Sequence, residues 1–314
     1  MSDGLHVVFG TGPAGLAVVR ELAARGERVR AVNRGGRAVL PAGVELRRGD
    51  ATDQAVTREL CAGAAVVYGC LNAPYHRWPE LFPPLQAGVV EGAAAAGAKL
   101  VMLENVYLYG PTGGRPLTED LPAAATGRKG ATRARMTTEL QLAHQHGKVR
   151  VAIGRAADFF GPGVLASAMG ERVFPRALAG RPVQVLGRPD LPHTYSYVPD
   201  VGRGLVTLGE RDEALGSAWH LPGPQTVSTR QFLELVFGAA GRRPRVQALP
   251  RALLQVLGLV NPTVRELGEL LYEFEEPFVL DHSKFDRAFG AGATPLDEAV
   301  GRTVAWYRDH ARPA

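Results

Sequence analysis

The stretch Leu5-His6-Val7-Val8-Phe9-Gly10-Thr11-Gly12-Pro13-Ala14-Gly15-Leu16 decides the fold. An apolar run of strand type, Leu5 to Phe9, meets Gly10, Gly12 and Gly15 at G-x-G-x-x-G spacing, and Leu16 to Arg25 then carries apolar residues at helical period. Strand, tight turn and helix in this order open a dinucleotide-binding βαβ unit. Gly10 permits the turn, Gly12 lets the backbone approach a pyrophosphate, and Gly15 lets the helix pack closely on the strand. The loop Gly10-Thr11-Gly12-Pro13-Ala14-Gly15 is therefore the expected phosphate cradle, with unpaired N–H groups of the helix facing the anion.

Glycine makes up 38 of the 314 residues, so the spacing alone is weak and its surroundings carry the weight. A second strand pattern, Arg28 to Val32, ends in Asn33 and Arg34, where a dinucleotide fold presents its ribose-selecting residue. No carboxylate stands there. An acid would accept from the ribose 2′-hydroxyl of NAD, whereas Arg34 and Arg37 suit a 2′-phosphate, so the reading favours NADP(H). The plainer alternative makes both arginines solvated turn residues.

The length and the 46% hydrophobic content suffice for a large core. The formal charge is +5, but the basic residues are almost all arginine, scattered among acids rather than gathered in a stripe, so no nucleic-acid footprint is visible. Cys61 and Cys70 form no C-x-x-C pattern and read as buried thiols. The eight histidines show no metal-ligand spacing, and no metal site is expected. The first residues lack a basic leader region, and no apolar run reaches about 18 residues, which speaks against export and membrane insertion. A cytoplasmic enzyme acting on a small molecule is the expectation.

Strand candidates at 5–10, 28–33, 44–48, 64–71, 99–105 and 149–155 alternate with helices near 14–25, 53–62, 78–97 and 130–147. Such alternation predicts an α/β fold, a Rossmann-type doubly wound parallel sheet spanning residues 1–160, with a smaller C-terminal substrate-binding lobe over 161–314. Segments near 194–222 are expected to return to the sheet domain. Ligands then bind beyond the carboxyl ends of the strands. Asp50 and Ala51 follow the third strand, where Asp50 suits the exocyclic amine of adenine; Asp53 or Thr52 suits the cap of the next helix. Leu71, Asn72 and Ala73 end the fourth strand beside the cofactor, and Tyr75, His76 and Trp78 follow as a substrate wall or as loop packing. Beyond residue 160, Gly161-Pro162-Gly163 opens a helix-like segment to Ala179, helices are expected at 229–240, 249–259 and 262–274, and Thr294-Pro295 reads as an N-cap and first residue of the last helix.

Over essentially its whole length the chain resembles the extended short-chain dehydrogenase/reductase family, the NAD-dependent epimerase/dehydratase group. FGTGPAG, RGDATD, MLENVYLYGP, GRAADFFGPG, YSYVPDV, FVLDHSKF and TPLDEAV carry the resemblance. It implies a Rossmann domain holding a dinucleotide, a C-terminal lobe closing over the substrate, and a homodimer formed through the helices near 78–97 and 130–147. Two departures stand out. The glycine turn is one residue shorter than the family's G-x-x-G-x-x-G. The family's catalytic Tyr-x-x-x-Lys is missing: anchored on Glu139, its positions fall on Ala131 and Arg135; aligned without a gap, on Gly130 and Ala134. Asn105 stands where the family has its serine. The pattern resembles atypical members that keep the cofactor fold and lose the tetrad.

In the family the tyrosine handles the proton and the serine holds the substrate oxygen. If the fifth strand continues past Asn105, its period of two puts Asn105, Tyr107 and Tyr109 on one face. Tyr107 is then a candidate proton donor, Asn105 a donor to the substrate oxygen, and Arg135 a ligand for the nicotinamide ribose. Asp158 is a candidate base or substrate hydrogen-bonding group, and His193 and Tyr195 belong to the far wall. Lys129 reads as a solvated lysine in a polar turn. Three functions stay open: an NADP(H)-dependent oxidoreductase on a small carbonyl or alcohol; a non-redox lyase, isomerase or cyclase; and a non-catalytic NADP-sensing regulator.

Overall fold

The computed structural model describes residues 4–249, 268–290 and 292–310. Strands β1 (Leu5–Phe9), β2 (Arg28–Asn33), β3 (Glu45–Arg48), β4 (Ala64–Gly69), β5 (Lys99–Asn105) and β6 (Arg150–Ala156) are interleaved with helices α1 (Pro13–Ala24), α2 (Gln54–Cys61), α3 (Trp78–Ala95) and α4 (Arg128–Gln145). The chain continues through β7 (Asp158–Phe160), α5 (Phe174–Leu178), β8 (Val183–Val185), β9 (Pro192–His193), β10 (Tyr195–Tyr197), α6 (Val198–Glu210) and β11 (Ala218–His220). It ends with β12 (Val227–Ser228), α7 (Thr229–Ala239), β13 (Val246–Ala248), α8 (Tyr272–Glu275), α9 (Ser283–Phe289) and α10 (Leu296–Asp309).

Seven strands form one sheet in the order β11-β6-β5-β4-β1-β2-β3, and each neighbouring pair is parallel. This is the doubly wound Rossmann arrangement, extended by β11 on the edge of β6. A parallel sheet covered on both faces needs apolar residues on both sides of each central strand, and β1 is buried throughout. Val7, Phe9, Leu100 and Met102 point into the core beneath α2 and α3, while Val8 and Val101 point into the opposite core beneath α1 and α6. The order reverses between β1's two neighbours, β2 and β4, and the crevice at that switch point lies above the first glycine turn.

The C-terminal lobe has its own core, built from Phe160, Phe174, Tyr195, Tyr197, Phe232, Phe237, Val300 and Tyr307. Three short pairings brace it: β7 with β10, β8 with β13, and β9 with β12.

Several local expectations change. Between Gly161 and Ala179 only α5 is helical, and Gly161 (φ +135°) and Gly163 (φ +81°) take left-handed backbone where the helix is expected to open. Pro295, not Thr294, is the N-cap of α10. Thr294 instead donates its N–H (2.9 Å) and hydroxyl (2.7 Å) to the Asp200 carboxylate, tying α10 to α6. The helix expected over 249–259 and the first part of the one over 262–274 lie outside the described residues; α8 occupies the end of the latter. Among the described residues no helix is long and apolar enough to cross a membrane.

Candidate active site

The first turn is built for close backbone approach. A Cβ at Gly10 would lie 2.4 Å from the Cys70 carbonyl oxygen, and one at Gly15 would lie 1.9 Å from the Gly10 carbonyl oxygen. At Gly12 a Cβ would meet nothing within 4 Å, so this residue faces open space. No side chain caps α1; its N-cap is Gly12 and its first residue Pro13 has no N–H. The N–H groups of Ala14 and Gly15 belong to the first turn, which has no intrahelical acceptors for them, and they fit the oxygens of a pyrophosphate.

At the end of β2 the Asn33 side chain is fully used. Nδ2 donates to the Thr11 hydroxyl (2.7 Å) and to the Arg37 carbonyl (3.0 Å), and Oδ1 accepts from the Gly36 N–H (2.6 Å). Asn33 thus holds the 34–37 turn against the glycine turn and leaves Arg34 and Arg37 exposed. Arg48, which the sequence reading did not single out, donates from Nε to the Arg34 carbonyl (3.2 Å) and adds a third guanidinium beside the same turn.

Asp50 accepts from the Thr52 N–H (2.9 Å) and hydroxyl (2.8 Å); these bonds, with the charge of Arg34 nearby, hold its carboxyl below its ordinary range. Its oxygens shape the turn after β3, where Ala51 is buried and Asp53 caps α2 by accepting from Ala55 and Val56. After β4, Leu71 is half-buried, Asn72 Oδ1 accepts from the Ala73 N–H (2.9 Å), and the Ala73 carbonyl accepts from Trp78 Nε1 (2.9 Å).

Strand β5 stops at Asn105, and Tyr107–Tyr109 forms a 3-10 turn, so the shared face expected for Asn105, Tyr107 and Tyr109 does not form. Tyr109 turns into the core, where its hydroxyl lies 2.7 Å from both His220 Nε2 and an Arg155 guanidinium nitrogen. Tyr107 turns the other way and shares a 3.1 Å hydrogen bond with the Tyr75 hydroxyl. Trp78 packs against both rings, at centroid distances of 5.4 Å to Tyr75 and 5.8 Å to Tyr107. Burial pushes the Tyr107 hydroxyl well above its ordinary pKa and raises that of Tyr75, so both are neutral donors at physiological pH. Asn105 Oδ1 faces the Tyr107 N–H and Arg133 Nε, each at 3.4 Å, which leaves Nδ2 as the atom for a ligand oxygen.

The expectation for α4 is corrected. Arg135 is 56% exposed and pairs with Glu139 one turn on, at 3.9 Å, so it does not enter the crevice. The buried pair is Lys129 and Arg133, with side chains 1% and 3% exposed. The helix starts at Arg128, two residues before the expected 130, and takes Lys129 out of the solvated turn assigned to it. Arg133 stacks over Phe82 and Trp78 (4.6 and 5.4 Å) and lies 3.9 Å from Glu104. Lys129 Nζ stands 3.4 Å from Glu269 Oε2 and 5.9 Å from the Tyr75 ring centre. A Cβ at Gly130 would lie 2.6 Å from the Tyr107 carbonyl oxygen, so the first turn of α4 rests directly on this site. The sequence carries the signal, since Lys129-x-x-x-Arg133 has the spacing of the absent Tyr-x-x-x-Lys.

Across the crevice, His193 Nδ1 lies 3.0 Å from the Glu273 carbonyl oxygen and must donate to it, while Nε2 lies 3.0 Å from Asp158 Oδ2. One proton therefore sits between His193 and Asp158. Tyr195, expected on the same wall, stacks on His193 and bonds Thr229 within the lobe core. Glu273, which sequence reasoning missed, is 2% exposed, and its Oε1 has no hydrogen-bond partner. Burial and the nearby Asp158 hold its carboxyl well above the usual range. Its only sequence signal is an acid between two aromatics, Tyr272 and Phe274. Among the described residues no group of three or more His, Cys, Asp or Glu could hold a metal ion.

The sequence profile of the NAD dependent epimerase/dehydratase family matches residues 7–220, from β1 to the end of β11. The chain belongs to this family. No protein of curated function matches it in sequence. Three solved structures share its fold. UDP-glucose 4-epimerase of Thermus thermophilus, in complex with NAD, is 20% identical with a TM-score of 0.75, covering 97% of this chain and 99% of its own. UDP-N-acetylglucosamine 4-epimerase of Bacillus cereus is 12% identical with a TM-score of 0.79, covering 99% and 98%. The Bordetella bronchiseptica enzyme WbmH, in complex with NAD+, is 17% identical with a TM-score of 0.73, covering 98% and 99%. At these identities the likeness is one of fold. In this chain two buried cations, Lys129 and Arg133, stand four residues apart on α4 beside the strand-end crevice.

Proposed function

We propose that the chain is an NADP(H)-dependent oxidoreductase that passes hydride between the nicotinamide and a small organic carbonyl or alcohol. The observation that carries this reading is the end of β2: a carboxamide in place of a carboxylate, with Arg34 and Arg37 held out on a turn that Asn33 bonds to the glycine loop. The bound dinucleotide would supply the hydride. In this reading the Gly10–Gly15 turn binds the pyrophosphate, and Thr11, Gly12, Pro13 and Ala14 line it. Arg34, Arg37 and Arg48 bind the 2′-phosphate, Asp50 and Ala51 border the adenine, and Leu71, Asn72 and Ala73 border the nicotinamide side. Asn105 Nδ2 donates to the substrate oxygen, and the neutral Tyr107 and Tyr75 hydroxyls complete that wall. NAD in complex with two of the neighbouring structures supports a dinucleotide in the crevice, and the arginines argue for its phosphorylated form.

Fluorescence titration with NADPH and NADH, followed by NADPH oxidation against a panel of aldehydes, ketones and hydroxyketones, tests the reading. Tighter binding of NADPH and oxidation with at least one carbonyl support it; binding of neither nucleotide overturns it. A second reading, a lyase or isomerase that leaves the nicotinamide redox state unchanged, draws on the half-buried Asp158, its partner His193 and the buried Glu273, a cluster suited to moving protons. Substrate conversion with bound nucleotide and no absorbance change at the nicotinamide would favour it.

A further inference from the structure

Hydride addition to a carbonyl needs a proton for the oxygen, and the proposed function, on which this inference rests, leaves its source open. Asn105 does not ionise, and Arg133 cannot give up a proton at any physiological pH. Tyr107 and Tyr75 are made worse acids by burial. Lys129 differs from all four. Its side chain is 1% exposed, against 16% for Lys99 and 51% for Lys148. Its charge is held inside by Glu269, whose other oxygen accepts from the Lys129 backbone N–H at 2.7 Å, and by the face of Tyr75. It sits one turn before Arg133, which reaches Asn105, and next to Gly130, which rests on the Tyr107 backbone. An ammonium is a compact donor with three protons and, unlike a guanidinium, can lose one.

We propose that Lys129 is the proton donor of this site, giving an N–H proton to the oxygen of the substrate carbonyl as hydride reaches its carbon. The carbon gains a C–H bond, the electron pair of the C=O π bond passes to oxygen, and an O–H bond forms as one N–H bond of Lys129 breaks. The neutral amine then regains a proton from water. Oxidation of the alcohol runs the same steps in reverse, with the neutral amine as base.

The test uses Lys129→Met and Lys129→Arg, the second keeping charge and bulk so that a folding failure of the first does not decide the matter. NADPH affinity by fluorescence is expected to stay within about threefold of wild type in both, while NADPH oxidation with the best carbonyl of the panel falls about 100-fold or more. A readout free of turnover uses wild-type protein labelled biosynthetically with 13C,15N-lysine and followed by NMR of the side-chain Cε and Nζ signals. The chain has only four lysines, Lys99, Lys129, Lys148 and Lys284, so the spectrum is simple. The Lys129 signal, identified by its loss in Lys129→Arg, is expected to shift on adding NADP+ with the same carbonyl, a pair that cannot react, while the other three stay in place. Near-wild-type oxidation by either variant, or an unmoved Lys129 signal in a wild type that turns over, overturns this assignment alone. A wild type that oxidises NADPH with no carbonyl overturns the redox reading and this assignment with it.

Discussion

Asn33 Nδ2 lies 2.7 Å from the Thr11 hydroxyl oxygen, so the residue that ends β2 and the residue between the first two glycines are joined directly. The link sets the distance between the pyrophosphate cradle and the arginine turn. Arg34→Ala and Arg37→Ala are each expected to weaken NADPH binding about 10- to 150-fold, the value of one charge-assisted contact, and to leave NADH binding nearly unchanged. Asn33→Asp cannot donate to the Arg37 carbonyl, so it loosens the arginine turn and is expected to weaken NADPH binding more than NADH binding. Parallel fluorescence titrations with both nucleotides check all three; equal losses for NADPH and NADH would remove the 2′-phosphate site.

Tyr107 and Tyr75 share one hydrogen bond at the edge of the crevice, and burial keeps both protonated. Tyr107→Phe removes one neutral contact. It should cost about 0.5–1.5 kcal/mol in stability and less than about tenfold in NADPH oxidation. A loss of about 100-fold or more at unchanged NADPH affinity would make Tyr107 the proton carrier after all.

The fold was readable because its signals are local: apolar strands, glycines at fixed spacing, and helices between them. The cofactor loop is legible for the same reason, as its work is done by backbone. The wall around Asn105 and Tyr107 was not. Asn105 and Tyr107 were placed by assuming that β5 continues, but a 3-10 turn breaks the alternation at Tyr107. Lys129 was given to solvent because its neighbours are polar; its burial depends on Tyr75 and Glu269, which are far away in sequence. The one local signal of Glu273, an acid between Tyr272 and Phe274, does not reveal its surroundings, which come from β7, β9 and the Tyr107 turn.

Glu273 should mark the pH dependence of stability. Its folded pKa lies well above the usual carboxylate value, through burial first and Asp158 second, with Tyr272 opposing. His193 Nδ1 on its carbonyl, with Tyr107 and Tyr75, completes the polar groups around it. The folded chain therefore holds a proton that the unfolded chain releases above about pH 4.3, and stability falls as pH rises from there toward the folded value. Glu273→Gln removes this term. The variant is expected to gain stability over wild type at pH 8 relative to the difference at pH 4. Denaturant melts at the two pH values check it, and an unchanged difference would show Glu273 to be ionised in the folded chain.

The His220 contact carries the opposite sign. Burial lowers its pKa to about 3; Nδ1 donates to the Asp281 carbonyl (2.9 Å), and Nε2 accepts from the Tyr109 hydroxyl. Below about pH 6.5 the unfolded chain takes up a proton that the folded chain refuses, so stability falls on acidification, by about 1.4 kcal/mol per unit well below that value. Tyr109→Phe strips the donor from Nε2 and an acceptor from Arg155. It should destabilise the protein by about 1–3 kcal/mol at pH 7 and move the midpoint of acid unfolding upward. An acid midpoint unchanged from wild type would mean that the hydroxyl does not hold the imidazole neutral.

Gly12 and Gly15 separate folding from binding within one turn. A methyl at Gly15 would lie 1.9 Å from the Gly10 carbonyl oxygen, a clash with backbone that forces α1 away from β1. Gly15→Ala is therefore expected to lose about 2 kcal/mol or more of stability. A methyl at Gly12 meets nothing within 4 Å and its backbone is extended (φ −71°, ψ −178°), so Gly12→Ala should melt within about 0.5 kcal/mol of wild type. That methyl points into the space where the pyrophosphate must come within contact of the backbone, so the same variant should lose NADPH binding about tenfold or more. Thermal melts beside fluorescence titrations read both quantities. A Gly12→Ala protein that is stable and binds NADPH as wild type does would place the dinucleotide elsewhere than on this turn.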